Sequence, residues 1–171
     1  LMITPSGQQP LLPASPFFIA ASLLGALLLS MLSQQPWMPD VLALTLVFWT
    51  IHQPLRVGIG AAFCFGLVMD VQQAGLLGQH ALAYTALSFL GIMIHRRVLW
   101  FPVPSQALQI LPLMLAAHLL EFLVRLLSGA GWPEWTYWLA PVLQAALWPL
   151  ASVLLLMPQR RAPDPDATRP L

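Results

Sequence analysis

The ionisable side chains inside apolar stretches are where this sequence could do chemistry, because a charge in hydrocarbon costs about 2.5 to 3.5 kcal/mol on insertion scales. Asp70 closes one such stretch, and Gly66, Ala62 and Gly58 precede it at intervals of four residues. In a helix those positions share one face, so a groove of small residues leads up to the carboxylate and admits a close neighbour. Two readings are open for Asp70. Either it faces a protein interface or internal polar pocket and hydrogen-bonds the Gln72 to His80 segment, or it sits at a helix end and reaches water. Glu121 and Arg125 lie four apart in another apolar stretch and are expected to pair, with His118 on the same face. That trio reads either as a proton relay or as a structural pair near the membrane surface.

Other chemistries lack their residues. The four histidines, His52, His80, His95 and His118, have no HExxH spacing, and Cys64 is the single cysteine, so neither a metal nor a disulfide is expected. Cys64 itself, inside an apolar run, is expected to be a small buried packing residue. Serines are few, GxSxG is absent, and the seven basic residues are all arginine, so no glycine loop leads to a phosphate-binding lysine. No cofactor is expected, and an enzyme is the class with least support.

The elements that must position these residues follow from composition. The 171 residues are 58% hydrophobic and 8% charged, against roughly 25% charged in an ordinary soluble domain. Such a chain cannot cover itself with a polar surface. The expected class is an all-α integral membrane protein, a six-transmembrane-helix bundle, since about 20 apolar helical residues cross the hydrocarbon layer. The spans are expected at about 17–33, 37–51, 57–71, 76–94, 106–127 and 136–157, the second and third being short. Trp37 and Trp49 are placed as interfacial aromatics near the ends of the second span. Pro141 and Pro149 predict kinks in the sixth. Residues 1–16 carry no positive charge and lack a signal-peptide pattern, so the first span is expected to be retained. Residues 159–171, rich in Arg, Pro and Asp, are expected to be a disordered tail.

Arginine placement sets the orientation, because short cytoplasmic loops are enriched in basic residues. Arg56 follows the second span, Arg96 and Arg97 the fourth, and Arg160 and Arg161 the sixth, while Asp40 and Glu134 fall in the opposite loops. Only an arrangement with both termini in the cytoplasm gathers those clusters on one side. A five-span version would scatter them. The same arginines are candidates for lipid headgroup contact. A net charge of +1 gives no reason to expect nucleic acid.

The run GLVMDVQQAGLLGQHALAY, from Gly66 to Tyr84, resembles the most characteristic stretch of the rod shape-determining protein MreD family. The similarity continues through His95-Arg96-Arg97, Phe101 and Gln106, Glu121 to Arg125, Gly131-Trp132-Pro133, Trp135, Trp148-Pro149 and Pro158 to Arg161, covering most of Pro36 to Arg161. The resemblance implies a non-enzymatic part of the cell-elongation machinery in the bacterial inner membrane. Its implied partner is the single-span protein MreC, which links MreB filaments to the polymerase RodA and its transpeptidase. It also implies a fold similar to the substrate-binding subunits of vitamin uptake transporters. The matching candidates for partner-binding or structural roles are Gly66, Asp70, Gly75, Gly78, Gln79, His80 and Tyr84. No catalytic residue is transferred.

The alternative from another class is a small-molecule-binding subunit of a vitamin uptake transporter, with a ligand in an outer pocket near Asp70, His80 and Glu121. Such a pocket needs several convergent polar and aromatic groups, and the sequence offers few. Small-residue stripes, Gly58-Ala62-Gly66 and Ala21-Gly25, permit close contact either with a partner or within the bundle. Self-association is left open.

Overall fold

A computed structural model describes residues 13–33 and 35–159. Six α-helices follow in order: α1 (Pro16–Leu32), α2 (Val41–His52), α3 (Ile59–Gln72), α4 (Gln79–Leu99), α5 (Val103–Leu127) and α6 (Leu139–Leu156). Single 3₁₀ turns occupy Trp135–Trp138 and Met157–Gln159, and no strand occurs among the described residues.

Local chemistry sets the helix starts. Ser15 Oγ accepts from Phe18 N at 3.1 Å, with Pro16 in the first turn of α1. Asp40 Oδ1 accepts from the backbone N–H groups of Leu42 (3.0 Å) and Ala43 (3.2 Å), which starts α2 four residues later than the hydrophobic run suggests. Trp37 and Met38 lie in the turn before it. At the other end, α4 runs through Arg96 and Arg97 to Leu99, so the basic cluster occupies its last turns rather than a loop.

The shortest helix lies at the centre. α2 has 12 residues, about 18 Å of helix, yet every residue from Leu42 to Ile51 is buried. It packs against α1, α4 and α6, while α4 also packs on α3 and α5, and α5 on α6. Lipid tails are as apolar as leucine, so contact and interhelical hydrogen bonding must hold the helices together. Phe48 lies 5.1 Å from Trp49 and 5.8 Å from Trp148, ring centre to ring centre. Trp49, expected at an interface, is instead fully buried and donates Nε1–H to Ser22 Oγ at 2.8 Å. Trp148 Nε1–H reaches Gln106 Oε1 at 3.0 Å, tying α6 to α5.

The outward faces are apolar, with Leu28, Phe63, Val71, Phe89, Met93 and Leu108 exposed. Such a surface suits hydrocarbon and not water. α5 and the run Trp135–Gln159 are each long and apolar enough to cross a membrane; α1, α2 and α3 are apolar but shorter. Cys64 is exposed on this outer surface rather than packed inside, because α3 has helix neighbours only on its inner side, where Ala62, Gly66 and Asp70 are buried. Pro149 is interior to α6, but Pro141 stands in its first turn, where no intrahelical bond is lost. The interior proline that the sequence reading omits is Pro112 of α5. Gln159 is buried in the final 3₁₀ turn rather than belonging to a tail. The remaining tail residues, Arg160 and Arg161 among them, lie outside the described residues, as do most of residues 1–16.

Candidate functional site

The polar side chains gather at one end of the bundle, where α1, α3 and α5 finish and α2, α4 and α6 begin. Three clusters form there.

The first is built on Asp70. Its Oδ2 accepts from the N–H of Gly78 at 2.8 Å and of Ala81 at 3.3 Å, and its Oδ1 from His80 N at 2.8 Å and His80 Nδ1 at 2.9 Å. The first turn of α4 has no capping side chain of its own, and Gly78 takes a left-handed φ of +105° at its start. Asp70 therefore caps α4 from a different helix, satisfying N–H groups that every helix start leaves orphaned. Gly66 makes this possible. A Cβ there would stand 2.4 Å from Ala81 Cα and 2.7 Å from the His80 carbonyl carbon, so only glycine lets α4 lie against α3 one turn below the carboxylate. Ala62 is buried on the same face, whereas a Cβ on Gly58 would meet nothing closer than 4.0 Å. Gly75 donates its N–H to the Asp70 carbonyl at 3.2 Å.

The second cluster is built on Asp40, which sequence reasoning assigned only to a loop. Beyond capping α2, it accepts from Ser30 Oγ of α1 at 2.8 Å and from the Tyr84 hydroxyl of α4. Its carbonyl accepts from Gln144 Nε2 of α6 at 3.2 Å. Four helices meet at one residue. The Pro39-Asp40 step before an apolar run does signal a helix start, but nothing local announces partners 44 and 104 positions away.

The third cluster lies on α5. Glu121 is 8% exposed, and its Oε2 stands 3.2 Å from the Tyr137 hydroxyl, which also lies 2.9 Å from the His118 carbonyl. A phenol has one proton, so Glu121 holds at most a share of it. Arg125 does not pair with Glu121: no arginine lies within ion-pair distance of a carboxylate among the described residues, and the Asp70–His80 contact is a hydrogen bond to the imidazole Nδ1. The expected pairing fails because the Tyr137 hydroxyl engages Glu121 from across the α5–α6 turn. His118 Nδ1 is held by the Met114 carbonyl at 3.0 Å.

Between the second and third clusters lies a cavity of about 430 Å³. Asp40, Gln79, His80, Tyr84, Glu121 and Arg125 line it together with His118 and Tyr137. The structure thus brings together far more convergent polar and aromatic groups than the sequence suggests. Asp70 is 1% exposed and sits behind His80 instead of lining the cavity. No three His, Cys, Asp or Glu side chains converge for a metal among the described residues. Arg56 lies at the opposite end, where its guanidinium donates to the Ala14 carbonyl, and Arg96 and Arg97 are exposed. The Ala21-Gly25 stripe faces outward, with nothing near a Cβ at Gly25.

Residues 11–157 match the family described as rod shape-determining protein MreD. The chain is 28% identical over 127 residues to the rod shape-determining protein MreD of Haemophilus influenzae, covering 72% of this chain and 76% of that one. No solved structure matches it.

Proposed function

Since the chain belongs to the family of rod shape-determining protein MreD, we propose that it is a non-enzymatic membrane scaffold of the bacterial cell-elongation complex. The family makes it a membrane protein with a role in rod shape. On this reading it captures the single-span protein MreC within the bilayer, and through MreC connects MreB filaments to RodA and its transpeptidase. The family match over residues 11–157 carries the proposal. Two features support it. The described chain has almost no mass outside the bundle, so partners must be met by helix faces and short connections. The Asp70 and Asp40 clusters are hydrogen-bonded from several helices, which suits a rigid platform better than a reacting site.

Orientation is part of the same reading. Three of the four described arginines, Arg56, Arg96 and Arg97, fall at the end opposite Asp40 and Glu134, with Arg125 alone at the cavity end, so the positive-inside rule favours the end with three arginines in the cytoplasm and the cavity end outside. Six spans with both termini cytoplasmic follow.

The test is depletion in a rod-shaped host, with cell outlines imaged and a tagged copy used to capture MreC. Rounded cells together with MreC capture are expected. Normal rods and no capture would overturn the scaffold reading.

A further inference from the structure

The cavity contains a charge arrangement that the scaffold reading leaves unused. Among the described residues, Glu121 is buried with no cation within ion-pair distance, and only Oε2 has a hydrogen-bond partner, shared with the His118 carbonyl. Its other oxygen is therefore free to accept a donor from the cavity that Glu121 lines. Arg125 lines the same cavity one turn along α5, and its guanidinium has no partner among the described residues. Two opposite charges on one helix face, about 6 Å apart along the axis, stand open to the same space without touching.

Other groups near Glu121 have unused hydrogen-bonding atoms. His118 gives its Nδ1 proton to the Met114 carbonyl, which leaves Nε2 an acceptor in the neutral ring. Asp70 holds His80 at Nδ1, and Nε2 has no partner among the described residues. Gln72 Oε1 is buried and unpaired among the described residues. Asp40, by contrast, already accepts four hydrogen bonds, from Ser30, Tyr84 and the start of α2, and is less available to a guest than Glu121. A volume of about 430 Å³ falls within the size of small-molecule sites, roughly 300 to 1,000 Å³.

We propose that this cavity binds a small zwitterion, its ammonium on Glu121 and the acceptors around it, its anionic end on Arg125. An ammonium and a phosphate joined by a short linker present the two complementary charges on one small molecule. That chemistry has two sources, a free phosphoethanolamine-like molecule or the headgroup of a zwitterionic phospholipid. Binding here does not require transport, and it is independent of capture of a membrane partner.

The test uses the full purified chain in detergent, with phosphoethanolamine as soluble probe, and separately in nanodiscs containing phosphatidylethanolamine or phosphatidylglycerol. Native mass spectrometry reads retention, and thermal melting reads stabilisation. Retention of phosphoethanolamine with a raised melting temperature supports the proposal and assigns a soluble ligand. Retention of phosphatidylethanolamine alone, in preference to phosphatidylglycerol, supports it and assigns the lipid headgroup. In either case Glu121→Gln, which keeps an acceptor for Tyr137, and Arg125→Gln should each weaken retention at least tenfold. Arg125→Gln carries the comparison if Glu121→Gln does not fold. Wild-type protein that retains neither probe, or variants that retain them as well as wild type, would overturn the site.

Discussion

Asp70 and Gly66 work as one unit, and the physics of each is different. The carboxylate receives three backbone N–H groups and an imidazole, charge-assisted bonds of the stronger kind. Asp70→Ala strands those donors in a buried place and is expected to cost about 3 to 5 kcal/mol. Asp70→Asn is expected to cost less, because one oxygen remains, although its amide would face donors. Denaturation in detergent should rank them wild type, Asn, Ala; an unaffected Ala variant would refute the capping role. Gly66→Ala acts by volume instead, since its Cβ would meet backbone and not a movable side-chain tip. It is expected to lower the melting temperature sharply, whereas Gly25→Ala and Gly60→Ala, with nothing within 4 Å of the new carbon, should leave it unchanged. Equal effects at all three sites would argue against the close approach of α3 and α4.

Among the elements, α2 is the one that others are built around, and it is too short to span hydrocarbon by itself. Its burial follows from being surrounded by α1, α4 and α6, and its position along the bundle is held through Asp40. Tyr84→Phe removes the α4 hydroxyl from that carboxylate while keeping the ring, and should cost about 1 to 3 kcal/mol. Trp148→Phe at the far side of α6 leaves Gln106 Oε1 without its indole donor and should cost a similar about 1 to 3 kcal/mol. The two sites share no partner, so the double variant is expected to be additive. Marked non-additivity in melting experiments would mean that α4, α5 and α6 shift together around α2. Gly91, where α4 faces α2, differs from Gly66, since a Cβ there would meet the Val47 side chain at 3.4 Å, an ordinary contact.

For the molecule as a whole, the separation of charge between its two ends leads to a prediction about placement in the membrane. In a Cys64→Ser background, Gln73→Cys lies at the cavity end and Leu55→Cys at the arginine end, and both positions are exposed. A membrane-impermeant maleimide is expected to label Gln73→Cys in cells with a permeabilised outer membrane, and Leu55→Cys only after lysis. The reverse pattern would invert the orientation and turn the cavity toward the cytoplasm. Labelling of both from outside would break the six-span count.

Composition and hydropathy alone settled that the chain is helical, apolar outside and divided into six segments, because backbone groups in lipid have to be satisfied within a segment. The Gly66 to Tyr84 run likewise carried the family by its own residues. Helix ends were displaced by a few positions wherever a cap outweighed the hydrophobic run, as Asp40 does for α2. What no local pattern held was which polar groups meet. Spacing four apart on α5 suggested that Glu121 and Arg125 pair, yet Tyr137 engages the carboxylate from a segment 16 residues away. Asp40 looked like a loop residue and joins four helices, and Trp49 looked interfacial and is central. Those outcomes depend on which faces the bundle turns inward. The hydrophobic pattern could not specify that here, since nearly every face of every helix is apolar and only close approach at glycines and hydrogen bonds between distant polar residues distinguish inside from outside.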